Sequence, residues 1–95
     1  MLIGVPKEIK NHEYRIGLTP GGVRELVVNG HEVIVENNGG AAIGFSNEEY
    51  MAAGAKIIDT AEDIFATADM IIKVKEPQPN ECKMLREGQI LFTYL

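Results

Sequence analysis

The chain has 95 residues, a formal net charge of −5, 45% apolar residues and a sequence pI near 4.9. This length predicts one domain with a modest core, because such a chain buries only about 60–65% of its unfolded surface. The acidic balance argues against a nucleic-acid partner, and no apolar run approaches the roughly 18 residues of a membrane span. Since Cys82 is the only cysteine, we expect no disulfides and a cytoplasmic location.

Five short runs rich in Val, Ile and Leu predict β-strands. They comprise residues 2–5, 32–36, 55–58, 70–75 and 89–94. Helical patterns separate most of them, and this alternation predicts βαβ units with right-handed crossovers. We therefore predict an α/β fold: a doubly wound, mostly parallel sheet of about five strands with flanking helices, flavodoxin-like or Rossmann-like.

Four polar residues stand where the N-caps of the helices are expected. Each side-chain oxygen can accept a hydrogen bond from a backbone N–H of the first helical turn. The predicted caps are Thr19, Ser46, Thr60 and Asn80. Pro20 suits the first helical position after Thr19, and Glu49 gives Ser46 the spacing of a capping box.

Three side chains are predicted to meet at the carboxyl edge of the sheet, where ligands bind in folds of this kind. Arg15 ends a polar loop after the first strand, Lys75 ends the fourth strand, and Tyr94 ends the fifth. A guanidinium can bind a carboxylate through two parallel hydrogen bonds, and an ammonium can donate to an adjacent carbonyl oxygen. This combination suits a small 2-oxo acid. The alternative is that Arg15 is a solvated loop residue and that Lys75 extends into water from a strand end.

Other polar residues receive structural interpretations. Lys73 shares the face of Lys75 on the fourth strand, and we expect it to form a structural ion pair. His12 lies in the first loop and could approach the ligand, but the sequence shows no partner for it. His31 is predicted in a surface turn and Cys82 as an idle thiol, and the histidines and acids lack the spacing of a metal site.

Residues 39–44 approximate the glycine motif of dinucleotide-binding proteins, and Asp59 follows at about the distance of a ribose-binding acid. However, Ala41 replaces the middle glycine, and Phe45 and Ser46 intervene before the next helix. We therefore predict a plain turn for this segment.

Several motifs, in order along the whole chain, resemble the N-terminal part of alanine dehydrogenases. They include residues 3–8 (IGVPKE), 11–15 (NHEYR), 19–23 (TPGGV), 30–33 (GHEV), 53–55 (AGA), 68–69 (AD), 73–77 (KVKEP) and 89–95 (QILFTYL). The wider family includes the α subunit of nicotinamide nucleotide transhydrogenase, which resembles Lys-Val-Asn-Ala-Pro at the fourth strand end. Lys75 stands at the asparagine position of that pattern and favours alanine dehydrogenase.

The resemblance implies that residues 1–95 are the N-terminal portion of the substrate domain of an NAD-dependent oxidoreductase. In that family, L-alanine is reversibly deaminated to pyruvate and ammonia. An arginine matching Arg15 holds the substrate carboxylate, and a lysine matching Lys75 contacts the carbonyl oxygen or the amine. The acid/base histidine of the family would follow Leu95 immediately, and the NAD-binding domain is absent from this chain.

We accordingly expect an incomplete domain that binds pyruvate or L-alanine weakly, binds no cofactor alone and has no activity alone. Two alternatives stay open: the N-terminal fragment of a transhydrogenase α subunit, and a non-catalytic module that binds a small ligand or a protein. Apolar surface left uncovered by the missing segments would favour homo-oligomers.

Overall fold

The computed structural model describes residues 1–94 and contains one sheet of five parallel strands. In chain order the strands are β1 (Leu2–Val5), β2 (Glu32–Glu36), β3 (Lys56–Ile58), β4 (Met70–Lys73) and β5 (Ile90–Thr93). Their order across the sheet is β3-β2-β1-β4-β5, so β1 lies at the centre, between β2 and β4. The predicted parallel α/β sheet is confirmed.

Four α-helices connect the strands, and three of the predicted N-caps are confirmed. The helices are α1 (Pro20–Val28), α2 (Asn47–Ala52), α3 (Ala61–Thr67) and α4 (Pro79–Cys82). The Thr19 hydroxyl accepts a hydrogen bond from the backbone N–H of Gly22 at 3.2 Å, and Ser46 and Thr60 cap α2 and α3 in the same way. No helix in residues 1–94 is long and apolar enough to cross a membrane.

The predicted start of the last short helix is wrong, because Asn80 lies inside α4 instead of capping it. The helix begins at Pro79, and its N-cap is Gln78. The Glu81 carboxylate accepts a hydrogen bond from the backbone N–H of Gln78 at 2.9 Å. Proline suits the first helical position, since its φ is fixed and it has no N–H to satisfy. Pro79 therefore marks the start of α4, as Pro20 does for α1.

The fourth strand ends two residues earlier than predicted, at Lys73. The backbone N–H groups of Val74 and Lys75 donate to the carboxylate of Glu8, at 3.0 and 3.3 Å. These two donors are therefore not available to a neighbouring strand. The strands β3 and β5 lie within their predicted ranges.

Helices cover both faces of the sheet, which confirms the doubly wound prediction. On the face of α1 and α2, the core includes Ile3, Val5, Val23, Val33, Val35, Tyr50 and Ile72. On the face of α3, it consists of Ile34, Ile64, Phe65, Ala68 and Ile71, with Met84 and Leu85 packed against them. The connections that follow β1 and β4 thus pass to opposite faces. The carboxyl ends of these two strands border the crevice where ligands bind in such sheets.

Candidate functional site

A buried carboxylate ties the loop after β1 to the end of β4. Glu8 lies in that loop, and its Oε1 atom is 3.1 Å from the Nζ atom of Lys73. The same carboxylate accepts the backbone hydrogen bonds from Val74 and Lys75. Because Arg15 follows on the same loop, these contacts fix the region that carries Arg15 relative to the strand end that carries Lys75.

Lys73 forms the structural ion pair that the sequence predicts. Its side chain is 0% exposed and lies between two carboxylates, at 3.1 Å from Glu8 and 3.2 Å from Glu81. Burying a lone ammonium carries a large desolvation penalty, which only nearby opposite charges offset. The two carboxylates therefore explain how a lysine is accommodated inside a central strand. They give Lys73 an architectural role.

The guanidinium of Arg15 is bound by a carboxylate two residues earlier. Arg15 Nε and Nη2 donate to the two oxygens of Glu13 at 3.0 and 3.1 Å, and the backbone N–H of Arg15 donates to Oε2 at 3.0 Å. The Glu13 side chain is 7% exposed, although it lies close to the molecular surface. The Arg15 side chain is 63% exposed. Glu13 therefore fixes one edge of the guanidinium and leaves the rest facing solvent.

This arrangement changes the pKa of both partners. The hydrogen bonds from the side chain and backbone of Arg15 lower the pKa of Glu13 to about 2, and the positive charge of Lys75 contributes a smaller decrease. The carboxylate of Glu13 in turn raises the pKa of Arg15. Lys75 is thus close enough to act on the same carboxylate that Arg15 binds.

A cavity of about 570 Å³ lies beside Arg15 at the carboxyl edge. Its lining includes Arg15, Gly17, Leu18, Thr19, Val74 and Tyr94. The hydroxyl of Tyr94 donates to the backbone carbonyl of Gly17 at 2.9 Å, so this side chain closes one wall of the cavity. The N-terminus of α1, which begins after Thr19, adds backbone N–H groups that favour an anion.

The structure thus brings two of the three predicted site residues, Arg15 and Tyr94, to one cavity. Lys75 is not among the residues lining it, but its positive charge acts on Glu13. Their roles in binding a substrate stay predictions. Leu95 lies outside the described residues, and so does the predicted position of the family histidine after it.

Sequence reasoning missed Glu8 and Glu13. Glu13 could have been found, because an acidic residue two positions before Arg15 is within reach of its side chain in a loop. Glu8 could not, since its partners are 65 to 67 residues away along the chain. A second ion pair between the same regions, Lys10 with Glu76 at 2.8 Å, was equally beyond reach.

The remaining polar candidates lie elsewhere or are occupied. His12 has a φ of +62° and an Nδ1 atom 3.3 Å from the Tyr14 hydroxyl. His31 is half-buried before β2, at the amino edge of the sheet. Cys82 is exposed, with its Sγ atom 3.6 Å from the carbonyl oxygen of Pro77. Among residues 1–94, no group of three His, Cys, Asp or Glu side chains could hold a metal ion.

The glycine-rich segment forms turns and a single 3₁₀ turn over Ala41–Ile43, as the turn prediction requires. A Cβ atom on Gly40 would lie 2.8 Å from Cβ of Phe45 and 2.9 Å from Cε2 of Tyr50. The glycine is therefore needed for packing against the protein's own side chains. The middle glycine position of the dinucleotide motif, which lets a pyrophosphate approach the backbone, is held by Ala41.

Comparisons with known proteins agree with this architecture. Residues 4–95 match the family described as alanine dehydrogenase/PNT, N-terminal domain. The alanine dehydrogenases of Methanococcus maripaludis and Bacillus subtilis are 57% and 55% identical over all 95 residues. The chain covers 26% and 25% of these relatives, or about a quarter of their length.

Two solved structures share the fold. One titled L-alanine dehydrogenase has a TM-score of 0.94 at 47% identity, with 98% of this chain and 26% of that chain covered. The transhydrogenase from Sinorhizobium meliloti has a TM-score of 0.92 at 28% identity, with 100% of this chain and 27% of that chain covered. The higher identities favour alanine dehydrogenase over transhydrogenase. The chain belongs to the alanine dehydrogenase/PNT N-terminal domain family and matches the N-terminal quarter of alanine dehydrogenases.

Proposed function

We propose that this chain forms the substrate-binding wall of an alanine dehydrogenase and binds the carboxylate of pyruvate or L-alanine. The observation that carries the proposal is the exposed guanidinium of Arg15. It lies at the cavity that Tyr94 closes, and the positive charge of Lys75 acts on Glu13, the carboxylate that holds this guanidinium. This is the sheet edge where parallel α/β folds bind ligands.

The free donors of Arg15 suit a ligand carboxylate. A guanidinium has five N–H donors; within residues 1–94, Glu13 occupies one on Nε and one on Nη2. The other three can form the paired hydrogen bonds that a planar carboxylate accepts. Lys75 would donate to the 2-oxo group of pyruvate, which lies one bond from that carboxylate.

We propose that the NAD site of the complete enzyme lies outside this chain. NAD would accept the hydride from the α-carbon of L-alanine, but the segment of residues 39–44 has Ala41 at the middle glycine position and forms a 3₁₀ turn over Ala41–Ile43, so it does not fit the dinucleotide motif. The relatives are about four times as long as the chain. We therefore expect binding without turnover by the 95-residue chain, in a cytoplasmic setting.

Titration of the ¹⁵N-labelled chain with pyruvate tests the binding role. We expect chemical-shift changes around Arg15, Val74 and Lys75, which Arg15→Ala abolishes. Arg24→Ala is the matched control, because Arg24 is exposed on α1 and its loss changes the net charge equally. Equal shifts in Arg15→Ala and the wild type would contradict the proposed site. Oxidation of NADH by the 95-residue chain with pyruvate and ammonium would contradict the lack of turnover.

A transhydrogenase fragment is the second candidate, because the transhydrogenase neighbour shares the fold over the whole chain. It predicts no response to pyruvate in the same titration. A third candidate, a module that associates with itself or another protein, draws on exposed apolar side chains of β5, including Ile90 and Phe92. Size-exclusion chromatography with light scattering tests this candidate, and a clean monomer would count against self-association.

A further inference from the structure

We infer that Glu13 sets the charge preference of the proposed site, so that it favours 2-oxo acids with one carboxylate over those with two. This inference rests on the proposed function and adds a residue that determines specificity. It comes from the charges that surround Arg15 and from the way Glu13 is held.

Glu13 is a fixed part of the site. Three hydrogen bonds from Arg15, all between 3.0 and 3.1 Å, hold its two oxygens. The side chain is almost completely covered, and the pKa of about 2 keeps it ionised at neutral pH. A fixed negative charge therefore lies against Arg15, which lines the cavity that a ligand anion would enter.

Negative charge already balances the cations around Arg15. Glu13 offsets Arg15, and Lys10 and Glu76 pair with each other at 2.8 Å. The buried group of Lys73, Glu8 and Glu81 carries one more negative than positive charge, and since Glu8 accepts from the backbone of Lys75 and acts on Arg15, this group offsets Lys75. The first carboxylate of a ligand is bound through the free donors of Arg15, whereas a second carboxylate meets the field of Glu13 with each of these cations already balanced.

Removal of the Glu13 charge strengthens the attraction in proportion to the charge of the ligand. A ligand with two carboxylates therefore gains more affinity than a ligand with one. For charges several ångströms apart in partly solvated surroundings, Coulomb's law gives a change in the affinity ratio of about threefold to tenfold. A purely structural role for Glu13 predicts something different, namely equal weakening of both ligands through loss of the Arg15 geometry.

The test compares two 2-oxo acids of equal carbon number, 2-oxovalerate with one carboxylate and 2-oxoglutarate with two. Their dissociation constants are measured by NMR titration of the 95-residue chain, with pyruvate as the reference ligand. Glu13→Gln removes the charge with little change in shape. Glu32→Gln is the matched control, because it removes the same charge at the amino end of β2. The dispersion of the amide spectrum shows that each variant is folded.

We expect the wild type to prefer 2-oxovalerate, and Glu13→Gln to shift the ratio of the two dissociation constants towards 2-oxoglutarate by about threefold to tenfold. The shift should shrink in about 1 M salt, where the screening length is about 3 Å. An unchanged ratio, equal weakening of both acids, or the same shift in Glu32→Gln would overturn the inference. If pyruvate binds and the ratio does not move, the inference alone fails. If neither the wild type nor Glu13→Gln binds pyruvate or either of the longer acids, the proposed function fails together with the inference.

Discussion

Two charged groups at the carboxyl edge use the same chemistry in opposite ways. Lys73 is fully buried with Glu8 and Glu81, and each partner is covered. Arg15 is held by Glu13, yet most of its side chain faces solvent. The buried group joins the loop after β1 to β4 and α4, while the exposed guanidinium of Arg15 leaves donors for a ligand. Burial therefore separates the residues that build the edge from the residues that can bind at it.

The largest effect is expected when the buried group loses its cation. Lys73→Met leaves two buried carboxylates without a counter-charge, and breaking a buried ion pair in this way costs about 3–5 kcal/mol. Urea unfolding measures the loss. Lys83→Met is the control, because Lys83 is exposed directly after α4 and its replacement should stay within about 0.5 kcal/mol. A loss no larger for Lys73→Met than for this control would show that the network does not hold the edge together.

The second-largest loss of stability is expected at Gly17, where the segment that follows Arg15 packs against the backbone of β4. A Cβ atom on Gly17 would lie 2.6 Å from the carbonyl oxygen of Ile72, so Gly17→Ala must push the loop away from the strand. Such overpacking costs about 1–3 kcal/mol. In Gly21→Ala the nearest atom to the new Cβ is the hydroxyl oxygen of Thr19 at 3.9 Å. That substitution should leave stability unchanged or raise it by up to about 1 kcal/mol.

Thermal and urea unfolding of the two alanine variants measure this difference. The pyruvate titration adds a second readout, because a displaced loop should also weaken binding. If Gly17→Ala were as stable as Gly21→Ala, the close approach of the loop to Ile72 would not be required by the fold.

The sequence predicts what depends on neighbouring residues. The caps at Thr19, Ser46 and Thr60 are visible because the cap and the N–H it binds lie within one helical turn. The face of Lys73 follows from strand alternation, and its burial then requires a partner of opposite charge. The Asn80 prediction failed for a local reason, since Pro79 outweighs a good capping side chain one residue later.

The rest depends on contacts that only the folded chain brings together. Glu8 meets Lys73 across 65 residues of sequence, and nothing near Glu8 marks it as a buried ligand of a distant lysine. The end of β4 at Lys73 has the same origin, because the Glu8 carboxylate takes the backbone donors of the next two residues. The edge position of Arg15 is predictable from topology, but the charge that Glu13 adds there depends on the loop conformation.

The smallest effect is the pH response of the Glu13 carboxylate that Arg15 holds. Glu13 has a folded-state pKa of about 2, below its ordinary value of 4.5, chiefly because Arg15 donates hydrogen bonds to it. A lowered folded-state pKa gives a stabilisation that is present above pH 4.5 and is lost as the pH falls towards 2. Carboxyl ¹³C NMR of Glu13 should follow this titration, and in Arg15→Gln its pKa should rise towards 4.5. Since Lys75 makes only the smaller contribution, Lys75→Gln should raise the same pKa less. A larger rise in Lys75→Gln than in Arg15→Gln would mean that Lys75, and not Arg15, is the main counter-ion of Glu13.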